Sequence, residues 1–241
     1  MGRLSPKDLR SRLAYDARIC ARLSSPHLVL SAHVSNDAML NGIVATEAEA
    51  EAGQAAMYLA RFNFPTLTNA GVTTPTVAVS FNLLAGGNYP FTEPAVNAVT
   101  HPRPWSPHVH PGSGAVCIGE VWARSRGQMV LGQLVAHVMR VFNFDEPNRD
   151  PSYDGWNAEA IRYWRTTMKC RPLNAGIVYP TMPEDLTHGI TNAPAVFAAI
   201  TTPATPPPAF RAAAPSAPAG GLFRAVAPAQ VPTFRRGGGG R

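Results

Sequence analysis

The sequence predicts an α+β domain in which helices cover one face of an antiparallel sheet, followed by a Pro/Ala-rich tail. Three observations point there. The chain opens with an amphipathic helical segment; three apolar runs of strand composition follow, split by turn-rich separators; helical periodicity then returns from about residue 130. With 241 residues, 45% of them hydrophobic, the chain is long enough to bury a full core.

Ser5 is the expected N-cap of the first helix, about Pro6 to Leu23, with Pro6 at the first helical position and Asp8 in the first turn. Leu9, Leu13, Ala17 and Cys20 fall along one face, and Ser24-Ser25-Pro26 ends the helix. Residues 27–34, 57–64 and 77–84 read as strands of an antiparallel meander. Between the first two, Glu47, Glu49 and Glu51 alternate with alanine. That is a strand period filled by helix formers, and we read 45–56 as a weak strand or the approach loop to the next strand. Residues 130–142 carry Leu131, Leu134, Val135 and Val138 at helical spacing, and a further helix is expected over 157–168. No internal repeat is visible.

Half of the 24 prolines lie after Cys170, and the tail 171–241 carries six arginines against Glu184 and Asp185, which accounts for +4 of the net +6. Such composition buries too little apolar area to offset chain entropy, so this tail is expected to be largely disordered and the folded part, 1–170, nearly neutral. Within the tail, Phe210-Arg211, Leu222-Phe223-Arg224 and Thr233-Phe234-Arg235-Arg236 repeat an aromatic-plus-arginine pattern suited to docking a partner, or incidental to a solubilising tail. Three cysteines, no signal-peptide pattern at Met1 to Ser5 and no long apolar run argue against a disulfide framework, secretion or a membrane span, so a reducing cytoplasm is expected.

The stretch from Ser106 to Gly119, Ser-Pro-His-Val-His-Pro-Gly-Ser-Gly-Ala-Val-Cys-Ile-Gly, is the candidate for chemistry. It sets Cys117 behind a Pro/His/Gly-rich loop, where a thiol can stay partly solvated and nearby N–H groups or an imidazolium can favour the reactive thiolate. Cys20, on the apolar side of the first helix, and Cys170, after the last, look like inert structural thiols. His101, His108, His110 and Cys117 include enough ligand types for a metal. Only His108 and His110 are closely spaced, however, and a structural site calls for two tight pairs, so neither a metal nor a cofactor is expected.

Four motifs in order are similar to those of the ubiquitin-conjugating enzymes. Asn88-Tyr89-Pro90-Phe91-Thr92-Glu93-Pro94-Ala95-Val96 resembles that family's Tyr-Pro-x-x-x-Pro-x-hydrophobic strand, which would supply the fourth strand of the meander. Ser106-Pro107-His108 stands where the family has His-Pro-Asn, Gly114 to Ile118 matches its Gly-x-x-Cys-hydrophobic site, and Trp122 takes the place of its tryptophan after the cysteine. Glu146 to Pro151 resembles its Pro-Asn-Pro-Asp-Asp-Pro loop, shortened by one residue. The resemblance spans roughly Ser5 to Lys169, and the short loops and the segment Gly155 to Arg165 look more like the prokaryotic branch.

The resemblance implies the ubiquitin-conjugating-like fold and an acyl relay. An adenylating activating enzyme would pass the C-terminus of a ubiquitin-like protein to Cys117 as a thioester, and the acyl group would move to an acceptor amine. Asp150 would position or desolvate the incoming ammonium. The family's loop asparagine is missing, and His108 or His110 offers a substitute that either donates to the oxyanion or helps deprotonate the amine; alternatively, these are loop histidines bonded to backbone. Two other functions compete: an inactive binding module of the same fold that docks the modifier or a partner, and a nucleic-acid accessory working through the basic tail. The near-neutral core weighs against nucleic acid, because phosphate binding needs clustered charge on an ordered face.

Overall fold

The computed structural model describes residues 3–145 and 155–183, and the expected tail from residue 184 onward lies outside the described residues. In chain order the elements are α1 (Pro6–Arg22), β1 (Leu28–His33), α2 (Asn36–Leu40), α3 (Glu47–Glu51), β2 (Met57–Phe62), β3 (Thr66–Asn69), β4 (Val72–Thr74), β5 (Val77–Asn82), β6 (Ala95–Ala98), α4 (Gly119–Ser125), α5 (Leu131–Asn143) and α6 (Ala158–Thr166). This is an α+β architecture. A four-stranded antiparallel sheet runs in the order β1-β2-β5-β6, and β3 and β4, which lie between β2 and β5 in chain order, form a separate two-stranded sheet.

The ladder register explains which side chains form the core. Tyr58 of β2 pairs with Ala32 of β1 and with Phe81 of β5, and Phe81 pairs with Val96 of β6. Because successive side chains of a strand point to opposite faces, this row and the parallel row through Ala60 and Val79 share one face. Tyr58, Ala60, Val79 and Phe81 are buried there, whereas Arg61, on the other face of β2, is exposed. The inner face packs on α5, whose residues are all buried except Arg140. An apolar helix buried on nearly every side is the expected partner for a sheet with one greasy face. Replacing a buried leucine such as Leu134 by alanine at such a contact typically costs about 2–5 kcal/mol.

α1 forms where its caps place it. The Ser5 side chain accepts from the Asp8 amide at 3.1 Å, and Pro6 occupies the first turn. Its Leu13, Ala17, Ile19 and Cys20 are buried. Residues 45–56 correct the reading from alternation: Glu47–Glu51 is helical, not a strand. Thr46 and Glu49 close a reciprocal capping box, with the Thr46 amide donating to Glu49 Oε2 at 2.8 Å and the Glu49 amide to Thr46 Oγ1 at 3.3 Å. Alanine and glutamate are helix formers, so a cap was enough to decide the segment against its period of two.

Residues 171–183, assigned to the tail from composition, lie against α5 and extend the packed part past Cys170. Asn143 Nδ2 donates to the Asn174 carbonyl at 2.9 Å, and the Asn174 amide donates back to Asn143 Oδ1 at 2.8 Å. Tyr179 donates its hydroxyl to Asp145 at 2.8 Å, and the Arg140 guanidinium lies 4.3 Å from the Tyr179 ring centre.

Candidate active site

The segment that carries Cys117 is a strand-like extension of the sheet. Val116 N–H donates to the Val96 carbonyl at 2.9 Å and Ala98 N–H to the Gly114 carbonyl at 2.8 Å, so residues 114–116 run along the outer edge of β6. On their far side lie residues 108–110: Cys117 N–H donates to the His108 carbonyl at 2.8 Å, and His110 N–H to the Ala115 carbonyl at 2.8 Å. These two bonds flank the antiparallel pair Val109 and Val116. Gly114 makes the turn possible. Its φ is +78°, and a Cβ there would sit 2.7 Å from the Ala98 carbonyl oxygen.

This register assigns faces. Val109 and Val116 point into the core and are buried. One residue away on each strand, His108 stands opposite Cys117 and His110 opposite Ala115, all four on the outward face. The burial agrees: His108, Cys117 and Ala115 are half-buried and His110 is exposed. Directly opposed residues in such a pair have Cβ atoms about 4.5–5.5 Å apart, and diagonal neighbours about 7–8 Å. The backbone therefore gathers one thiol and two imidazoles on a single ribbon.

The support beneath this ribbon comes from residues far apart in the chain. Ser106 is buried and donates its hydroxyl to the Val141 carbonyl of α5 at 3.1 Å, anchoring the 106–108 turn. Asn157 N–H donates to the Pro107 carbonyl at 3.2 Å, and Gly155 lies so close that a Cβ there would be 2.3 Å from that carbonyl oxygen. On the other flank, the buried Trp122 of α4 donates its indole N–H to the Pro90 carbonyl at 3.1 Å, with its ring 5.7 Å from that of Tyr89. The Tyr89-Pro90 bond is cis.

Tyr89 leads to a buried polar cluster that sequence reading missed. Its hydroxyl donates to Asp16 at 2.6 Å, Arg12 Nε donates to the same carboxylate at 2.8 Å, and the Leu131 amide at the start of α5 donates to its other oxygen at 2.8 Å. Arg12 also reaches the carbonyls of Gly127 and Met129. Burial pushes the Tyr89 hydroxyl well above its ordinary range, and the Asp16 carboxylate pushes the same way. For Arg12, burial favours the neutral form, but Asp16 and Tyr89 prevail and the guanidinium is held more firmly charged. The available signal was spacing: Arg12 and Asp16 sit four apart on a helix, beside the face that carries Leu13 and Ala17.

Of the other predicted residues, His101 is exposed, and Asp150 lies outside the described residues. Cys20 is buried, and burial, followed by the nearby Asp16 charge, pushes its thiol well above the usual range. Trp164 is buried, and Trp156 is half exposed with its ring 5.9 Å from the His110 ring, edge to face. Among the described residues, no group of three or more His, Cys, Asp or Glu side chains could hold a metal ion, and no helix is long and apolar enough to cross a membrane. Compared with models of known families, with curated proteins and with solved structures, the chain matches none of them.

Proposed function

We propose that the chain is a conjugating enzyme of the ubiquitin-conjugating type, which carries the C-terminus of a ubiquitin-like protein as a thioester on Cys117 and transfers it to an amine. The observation that carries this reading is the register that sets His108 opposite a half-buried Cys117 on the outer face of a braced ribbon. A carrier cysteine must be reachable by two macromolecules in turn, and a thiol fixed by backbone bonds at the sheet edge meets that demand. Cys20, sealed in the core, does not.

The chemistry needs a sulfur that attacks and later leaves, and donors aimed at the oxyanion that forms between. His108 and His110 supply imidazole nitrogens on the same face as the sulfur, in place of the side-chain amide that the resembled family carries. Asp150 keeps the role of ammonium-positioning acid that the resemblance implies. An adenylating activating enzyme would load Cys117, and the acceptor would be a protein amine.

The test is to incubate the protein with the activating enzyme, ATP and the ubiquitin-like protein of its own cell. The expected product is an adduct that thiol reductant cleaves. Cys117→Ser should convert it to a reductant-stable ester or abolish it. If the modifier charges the activating enzyme and never reaches this chain, the fold serves as a binding module instead.

A further inference from the structure

His110 and the turn that follows it settle which proton the ring carries. The Ser113 backbone N–H donates to His110 Nδ1 at 3.0 Å. An amide N–H can only donate, so Nδ1 is an acceptor and, in the neutral ring, the proton sits on Nε2. The turn is shaped for this contact. Gly114 N–H donates to the His110 carbonyl at 2.9 Å, Ser113 Oγ lies 3.1 Å from Nδ1 while accepting from Ala115 N–H at 3.2 Å, and the ring lies against Gly112, where a Cβ would be 3.2 Å from Cε1.

For His110 to act as a general base it would have to accept a proton on Nε2 while Nδ1 already carried one. Its Nδ1–H would then face the Ser113 N–H head on, exchanging a hydrogen bond for a repulsion between two donors. With Nδ1 engaged by the Ser113 amide, the ring's proton sits on Nε2, on a side chain that the register places on the outward face, diagonal to Cys117.

We propose that His110 is the oxyanion donor of this site and not its base, and that Ser113 is the positioning residue that commits it to that role. The assignment rests on the proposed thioester chemistry at Cys117. In the discharge step the acceptor amine attacks the thioester carbonyl and the new C–N bond forms. The carbonyl electron pair moves to an oxyanion that receives the Nε2–H hydrogen bond. As the carbonyl re-forms, the C–S bond breaks, its electron pair leaves on Cys117 as thiolate, and the surplus ammonium proton passes to water.

Two readouts on the full-length protein test it. Nitrogen-15 shifts of the His110 ring in the uncharged protein at mildly alkaline pH should show a protonated Nε2 and an unprotonated Nδ1. In single-turnover discharge from pre-charged protein to a small amine, His110→Ala should slow the reaction about 10²-fold, as loss of one oxyanion donor does. His110→Gln, which offers an N–H near the Nε2 position and cannot act as a base at neutral pH, should recover most of that loss. A proton on Nδ1, or His110→Gln as slow as His110→Ala, overturns the donor assignment while leaving the thioester reading intact. So does discharge that His110→Ala does not slow. A protein that never charges at Cys117 overturns both.

Discussion

Asp16 shows what a single side chain can hold together. It is fully buried and receives Arg12, the Tyr89 hydroxyl and the first amide of α5. Removing one partner of a buried ion pair strands the other, so Asp16→Ala should destabilise the protein by about 3–5 kcal/mol, read as a lower urea midpoint. A loss under about 1 kcal/mol would mean that Arg12 finds water instead. The residue scale was partly legible in the sequence. Cys117, with its loop context, and Cys20, on its apolar stripe, could be separated because exposure follows pattern. Asp16 could not be picked out, since its partners Tyr89 and Leu131 are brought to it by tertiary packing.

At the scale of elements, the site depends on how the approach to α6 meets the 106–108 turn. The Asn157 side chain caps α6 by accepting from the Ala160 amide at 3.1 Å, while its backbone N–H holds the Pro107 carbonyl. Gly155 leaves no room for a methyl group against that carbonyl. Gly155→Ala should therefore cost about 1–3 kcal/mol through overpacking, measured by chemical denaturation. It should also displace the turn opposite Cys117, detected as a changed rate of Cys117 alkylation in the native protein; unchanged stability and labelling would show that the contact is slack. The strands β1, β2 and β5 were legible as apolar runs of strand composition bounded by turn residues, and the helix α5 by its sustained helical spacing. The short elements α2, α4, β3 and β4 were not: each spans seven residues or fewer and is held by caps, bridges or neighbours more than by its own period. At residues 47–51 alternation misled, because a capping box outweighed the strand period.

Taken as a whole, the molecule buries one thiol and two phenols in their neutral forms beside the charged Arg12–Asp16 pair, and this sets its response to alkali. Burial raises the Cys20 thiol and the Tyr58 and Tyr89 hydroxyls above their ordinary values, and Asp16 adds to all three shifts. A group whose folded pKa is raised stabilises the fold below its unfolded pKa and loses that contribution as pH climbs toward the folded value. Stability should therefore hold near neutrality and fall once pH passes about 8.5 for the cysteine and about 10 for the tyrosines. Urea midpoints measured from pH 7 to 11 check it, and a flat or rising profile would contradict the burial. The α+β plan was legible from element order, because the strands cluster between helices. The extent of the packed part was not, since 171–183 read as tail by composition yet supply Asn174 and Tyr179 to α5. The role proposed for the sheet-edge ribbon is to make Cys117 an acyl carrier. The most direct measurement is peptide mapping by mass spectrometry, without reductant, of the protein after reaction with the activating enzyme, ATP and the modifier. The modifier's C-terminal residues should be found joined to the Cys117 peptide by a hydroxylamine-labile bond; attachment at a lysine alone, or at Cys170, would contradict the carrier role.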